Sequence, residues 1–261
     1  MAIHKEDVST ELLSNRENIS YDLDNGIGSI GVIGLLVLQS DQTIEDEFRA
    51  VLPSGVALYQ ARLKSPKEIT PKTLLTMEGD ISKTVSLLPD IKFDVIGFGC
   101  TSGALIIGEN RVAEHVHEVK SDVAVTDPVT ATLAAFKALD AKRIALLTPY
   151  IAEINHSLRN SLIERGLSIP IMGSFNEPDD YSVAKITAAS IASAVLSLGA
   201  SADCDAVFVS CTNLRVARIV QRIEDQIGKP VTSSNHALAW HMLRLAGFKE
   251  AMPGYGRLFH V

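Results

Sequence analysis

Aromatic residues are scarce in this sequence, at 5% of 261 residues, although 46% of the chain is hydrophobic. So aliphatic a core suits layered helices and strands better than a β-sandwich. Cysteine is scarcer still. The three present, Cys100, Cys204 and Cys211, make no disulfide framework and are expected to stay reduced. Basic charge is short, with 24 Lys and Arg against 31 Asp and Glu, a formal net charge of -7. No basic stripe stands out, so no nucleic-acid partner is expected. No apolar run approaches the roughly 18 residues that would indicate a membrane span. The polar, acidic stretch from Met1 to Gly26 has no apolar signal core, so a cytoplasmic protein is expected. P-loop, HExxH and CxxC spacings are missing too, and neither metal nor cofactor is expected. Gly26, Gly28, Gly31 and Gly34 do not make a GxGxxG spacing, and the apolar run ending at Leu38 reads as a strand.

What the sequence does contain is a stretch that occurs twice. Asp94-Val95-Ile96-Gly97-Phe98-Gly99-Cys100-Thr101-Ser102 and Asp205-Ala206-Val207-Phe208-Val209-Ser210-Cys211-Thr212-Asn213 share one plan. An Asp precedes an apolar run, and six residues after it comes Cys-Thr and a small polar residue. The cysteines are 111 residues apart, and Ile33-Gly34-Leu35-Leu36 matches Ile144-Ala145-Leu146-Leu147 at the same offset.

Short apolar runs alternate with helical spacing along the chain. Strands are expected at 33–38, 56–63, 93–98, 123–125, 143–147, 169–172, 206–209 and 231–232. Helices are expected after 43, over 71–88, over 102–117 with a break near Gly108, after Pro128, and over 151–164, 181–198, 214–227 and 236–245. Such alternation means βαβ units and parallel sheets. The expected fold class is α/β: two similar flavodoxin-like lobes with parallel four-stranded sheets, related by a pseudo-twofold axis, with the active site between them. Residues 1–27 form a tail or arm, 28–128 plus 233–261 the first lobe, and 129–232 the second. Ligands of open α/β sheets bind beyond the carboxyl ends of the strands, so both Cys-Thr turns are expected to face one cleft.

A thiol at a helix N-terminus sits beside unpaired N–H groups, which favour thiolate and lower its pKa, although burial opposes this. The same N–H groups, with the hydroxyls of Thr101, Ser102 and Thr212 and the amide of Asn213, can cradle a carboxylate. Two thiols on opposite faces of one carbon suit stereochemical inversion, one removing a proton and the other delivering one. The pair can equally add to a double bond and protonate its neighbour, permitting rotation. A cysteine hydrolase using His236, and a non-catalytic two-lobed binder of amino acids or dicarboxylates, are the competing classes. Cys204 reads as inert packing, and Asp94 and Asp205 as turn or cap residues. Asn235 can line the cleft. Arg215 and Arg218 read as a solvated helix face.

At these paired Cys-Thr turns the chain resembles the aspartate/glutamate racemase superfamily. It is most similar to the maleate cis–trans isomerase and arylmalonate decarboxylase branch, and within that to ectoine-utilisation proteins of the EutA type. The stretch Val37-Leu38-Gln39-Ser40-Asp41-Gln42-Thr43 is similar to that branch's first strand-end loop. The resemblance implies a cofactor-independent isomerase or racemase of a small carboxylic acid, and a homo-oligomer. Cys100 would be nucleophile or base and Cys211 the acid. Tyr150 would contact substrate, and Thr101, Ser102, Thr212 and Asn213 would hold carboxylates. Retention of both cysteines speaks against decarboxylation, since the decarboxylases keep only the second. Asp41 stands where the isomerases carry Asn. It would repel a substrate carboxylate and suit an ammonium, or else simply cap a helix.

Overall fold

The computed structural model describes residues 18–65 and 70–261. Of the expected N-terminal arm, residues 1–17 lie outside that range. Residues 18–27 carry no helix or strand, and Ile19, Tyr21, Leu23 and Ile27 are exposed.

In the first half, β1 (Gly31–Leu38), α1 (Ile44–Val51), β2 (Val56–Leu63), α2 (Pro71–Leu75), α3 (Ile81–Val85), β3 (Val95–Gly99), α4 (Thr101–Ile107), α5 (Glu109–His117), β4 (Ala124–Thr126) and α6 (Pro128–Ala138) follow in order. The second half runs β5 (Arg143–Thr148), α7 (Ala152–Glu164), β6 (Ser168–Ser174), α8 (Asp180–Val183), α9 (Ala188–Gly199), β7 (Ala206–Val209), α10 (Val220–Ile227), β8 (Val231–Ser233) and α11 (Ser234–Leu245). Two four-stranded sheets result, ordered β2-β1-β3-β4 and β6-β5-β7-β8, with every pairing parallel.

The repeat seen in sequence is a repeat of register. Ile33 pairs with Val95, and Ile144 with Ala206. The two Asp residues set that register. Asp94 Oδ2 accepts the Val32 N–H at 2.8 Å, and Asp205 Oδ1 accepts the Arg143 N–H at 2.8 Å. Each carboxylate therefore locks its Cys-bearing strand to the neighbouring one just before the apolar run begins. The central strands are buried on both faces, which explains their unbroken Val/Ile/Leu runs.

The two halves are joined through their closing helices. α6 and α11 pack against each other, and α11 also packs on β3 and α1. One hydrophobic cluster accordingly combines Ile33, Leu35, Phe48 and Val95 with Leu238, Trp240, Met242 and Phe259. Asp127 opens α6 by accepting the Val129 and Thr130 N–H groups, and Ser233 opens α11 by accepting that of His236.

Three expected helices are interrupted. The stretch over 71–88 splits into α2, a 3-10 turn at Glu78–Asp80, and α3. That over 181–198 divides into α8 and α9, because Thr187 caps a new helix by accepting the Ser190 N–H. That over 214–227 starts only at Val220. Its missing first turn has a tertiary cause. The Val216 and Ala217 N–H groups point out to Glu47 Oε2, at 2.9 and 2.8 Å. Glu47, on α1, is buried, and desolvation pushes its carboxyl from 4.5 up to about 7 against the pull of those two amides.

Between the unfolded value and about 7 the folded chain therefore holds a proton on Glu47 that the unfolded chain has lost. The cost of this carboxyl is absent below about pH 4.5 and complete above about 7, at roughly 1.4 kcal/mol per unit. The melting-temperature difference between Glu47→Gln and the parent should become more favourable to the variant from pH 5 to pH 8. A difference independent of pH would show that Glu47 is ionised normally.

Candidate active site

Cys100 follows β3 directly and is the N-cap of α4. Its Sγ accepts the Gly103 N–H at 3.1 Å. A Cβ on residue 103 would sit 2.9 Å from that sulfur and 2.8 Å from Met77 Cε. Only glycine lets the amide approach so closely. The Ser102 hydroxyl is 3.7 Å from the same sulfur.

Cys211 follows β7 at the equivalent place, but no helix begins there. Its backbone φ is 135°, in the region that favours glycine, and residues 212–219 form turns. This corrects the expectation of a helix directly after each cysteine. The turn is pinned by other parts of the chain. Ser234 Oγ accepts the Cys211 N–H at 3.0 Å, and Thr212 O accepts the Thr43 hydroxyl at 2.6 Å and Asn235 Nδ2 at 2.7 Å. Asn213 Oδ1 accepts the Gln42 N–H at 2.9 Å. Ser234 also accepts the Thr101 hydroxyl at 2.8 Å, so one oxygen ties the two cysteine turns together.

Both cysteines line one cavity, together with Thr101, Ser102, Thr212, Tyr150 and Asp180. Ser40, Ser65, Leu74 and Met77 complete much of its wall. Its free volume is about 20 Å³, room for about one water molecule. A small carboxylic acid needs more room than this, so a substrate must displace part of the wall formed by the described residues.

Burial dominates the electrostatics. Desolvation pushes the Cys100 thiol up to about 12, against the Gly103 amide and the Ser102 hydroxyl, and the charges of Asp180 and Asp41 add to the rise. Cys211 is raised well above its ordinary value by desolvation first and the same two carboxylates. The Tyr150 phenol is raised by burial and by both sulfurs, which places it beside the pair. The expected lowering of the thiol pKa is therefore reversed in the closed site, because one amide does not offset loss of water.

Asp41 serves the start of α1: its Oδ1 accepts the Thr43 and Ile44 N–H groups at 2.8 and 2.9 Å. Its Oδ2 is buried without a hydrogen-bond partner, and burial raises the carboxyl to about 6. Asp41, Asn213 and Asn235 are not among the residues lining the cavity. The two amides support the Cys211 turn from behind. His236 is turned elsewhere. Its Nε2 meets the Tyr255 carbonyl at 2.7 Å and its Nδ1 the Thr232 hydroxyl at 3.0 Å, and burial lowers it to about 4. His236 is therefore not placed to serve a hydrolase as its base. Arg215 is bonded to the Ile186 carbonyl and Arg218 to Asp46. Cys204 is buried against backbone carbonyls near Ser201. Among the described residues no three His, Cys, Asp or Glu side chains are grouped to hold a metal ion.

Asp180 is the site residue that sequence reasoning missed. It stands at the start of α8 and its Oδ2 accepts the Ser40 hydroxyl at 2.6 Å. Its only signal in the sequence was Asp-Asp at 179–180 after a strand, which reads as a helix cap. Asp179 does fill that role, accepting the Ser182 N–H at 3.0 Å.

The family model for arylmalonate decarboxylase matches residues 33–259. Maleate isomerase of Nocardia farcinica is 28% identical over 237 residues, spanning 87% of this chain and 94% of that protein. Arylmalonate decarboxylase of Bordetella bronchiseptica is 35% identical over 132 residues, half of this chain and 55% of that one. Among solved structures, a Cys→Ser variant of the Nocardia farcinica maleate cis–trans isomerase with a covalently bound succinylcysteine intermediate superposes with a TM-score of 0.81. It is 26% identical and covers 88% of this chain and 98% of that one.

Two measurements check the site's physics. In a Cys204→Ser background, absorbance near 240 nm should show no thiolate step between pH 6 and 9, whereas a step near pH 7 would mean an activated resting thiolate at Cys100 or Cys211. Cys211→Gly should cost about 1–2 kcal/mol less stability than Cys100→Gly, since only Cys211 sits at a glycine-type φ. Equal losses on urea unfolding would show that the turn carries no strain.

Proposed function

Because the chain belongs to the arylmalonate decarboxylase family, we propose that it is a cofactor-independent isomerase of a small carboxylic acid, with Cys100 and Cys211 as the reacting pair. One observation carries the reading: two thiols remote in sequence line a single cavity, with the Tyr150 phenol beside both. Each comes from its own sheet, which supports an approach to a bound molecule from opposite sides.

Cys100 suits the role of nucleophile or base. Its sulfur has the closer amide, at 3.1 Å from Gly103, against 3.4 Å from Asn213 to Cys211. That donor stabilises a thiolate once one forms. In an inversion, the Cys100 thiolate takes the proton from carbon and the Cys211 thiol delivers one to the opposite face. The pair ends with its protonation exchanged and atoms balanced. In a cis–trans reaction, the thiolate adds to one alkene carbon while Cys211 protonates the next. Rotation and elimination of the same two atoms then restore both residues. The succinylcysteine of the Nocardia farcinica relative is an adduct of the second kind. Both routes need a thiolate at Cys100, which burial disfavours and the Gly103 amide favours.

Small carboxylates followed by proton NMR in deuterated buffer would report isomerisation and solvent exchange together. Cys100→Ser and Cys211→Ser should each lower the rate by roughly 10²–10⁴-fold, the usual worth of a positioned acid or base. Retention of most activity by Cys211→Ser would leave a one-cysteine mechanism. Tyr150→Phe should keep the fold and lose a smaller factor, read in kcat.

A further inference from the structure

We propose that residues 19–24 form an arm that docks on a second copy of this chain, in the groove beside the C-terminal ends of α6 and α7. Ile19, Tyr21 and Leu23 meet its apolar floor, and Asp22 and Asp24 meet the lysines on its rim. The inference goes beyond the reaction proposed above and does not depend on it.

Residues 19–26 carry no helix, strand, turn or bend, so the segment runs extended. Successive side chains of an extended chain point to opposite faces. Ile19, Tyr21 and Leu23 therefore share one face, and Ser20, Asp22 and Asp24 the other. The three apolar side chains are 70%, 80% and 88% exposed. Nowhere else among the described residues do three exposed large apolar side chains stand two apart in the chain. Single exposed apolar side chains are ordinary, but a contiguous face of them marks a surface that another molecule covers. Asp24 Oδ1 accepts the Gly26 N–H at 2.7 Å, which leaves its other oxygen for a partner. The family match begins at residue 33, so the arm lies outside the region shared with the relatives.

The groove that fits it has a volume of about 490 Å³, room for several side chains. Leu133, Phe136 and Leu167 form its floor, continuous with the core beneath. Lys137, Lys142 and Arg165 line it with one acid, Asp140. Arg165 is already held by Glu109 at 2.7 Å. Among the described residues neither Lys137 nor Lys142 is in an ion pair, and both are exposed. The arm carries Asp22 and Asp24 and no base between residues 18 and 30. An apolar face with acids behind it thus matches an apolar floor with free lysines at its edge.

The placement of the two features selects a second copy. β1 and β5 both lead into the active-site cavity, which Leu38, Ser40 and Tyr150 line. The arm joins the start of β1, and the groove adjoins the start of β5. Strands of 8 and 6 residues, rising about 3.3 Å each, put those starts roughly 25 and 20 Å from the cavity, each on the outer side of its own half. Two copies lying side by side and antiparallel bring each arm to the other's groove. Both contacts are then made at once, which closes the assembly at a two-fold dimer.

Sedimentation velocity of the full chain over a wide range of concentration tests this. The parent should dimerise, and less tightly as salt rises, because exposed charge pairs are screened. Tyr21→Ser with Leu23→Ser should weaken the dimer tenfold or more. Lys137→Glu with Lys142→Glu should do the same, as should Asp22→Lys with Asp24→Lys. Circular dichroism of each variant confirms the fold. The chain carrying both charge reversals together should recover a Kd within threefold of the parent. A parent that stays monomeric overturns the proposal. So does a dimer indifferent to either the arm or the groove substitutions, or a pair of charge reversals that fail to rescue each other.

Discussion

The site depends on a peptide turn that would not hold its shape alone. Cys211 has a φ of 135°, a conformation that costs a non-glycine residue about 1–3 kcal/mol. It persists because the turn is over-determined from outside. Ser234 takes its N–H, Thr43 and Asn235 donate to the next carbonyl, and Gln42 holds the Asn213 side chain. At about 1 kcal/mol net for each hydrogen bond, these contacts offset the strain with a little to spare. Two of the donors, Gln42 and Thr43, belong to the loop after β1. The geometry of the second cysteine is therefore set by the first half of the chain, and the two halves cannot separate at this point without releasing it.

Desolvation is the second constraint, and it acts on everything the turn encloses. The same burial that encloses two sulfurs in one cavity strips them of water, which pushes both thiols up from their ordinary value. A nucleophile kept protonated until substrate arrives is protected from oxidation and alkylation, since the thiolate is the reactive form. The cost is that ligand binding must supply the activation.

Much of this was legible in the sequence because it is duplicated. The 111-residue offset between Cys100 and Cys211 marks true equivalence, down to the Asp that bonds the neighbouring strand in each half. Periodicity likewise gave the succession of strands and helices along the chain and the break at Gly108, whose φ of 92° ends α4. What was hidden belongs to contacts between distant segments. The helical spacing from Leu214 onward is genuine, but Glu47 draws away two N–H groups and delays α10 to Val220. Asn213 Oδ1 and Asn235 Nδ2 also hold the Cys211 turn, a tertiary role that no local pattern shows. Asp180 has no counterpart pattern in the first half, so the repeat could not point to it. The thiol pKa was misjudged because a helix N-terminus is visible in a sequence and the burial around it is not.

The two halves have diverged in the way that two chemical roles require. Cys100 keeps an ordinary extended backbone, a helix behind it and a glycine amide at 3.1 Å, all of which favour negative charge on sulfur. Cys211 has lost the helix, because its following segment is tied to Glu47, and its nearest amide is longer, at 3.4 Å. A symmetric pair would leave the proton without a preferred side. The unwound turn after Cys211 removes the dipole that would otherwise compete for the charge, which supports the proposed roles of thiolate at Cys100 and thiol at Cys211. On this argument the strained turn and the displaced start of α10 are one device. In the proposed mechanism they convert a duplicated strand end into an acid facing a base.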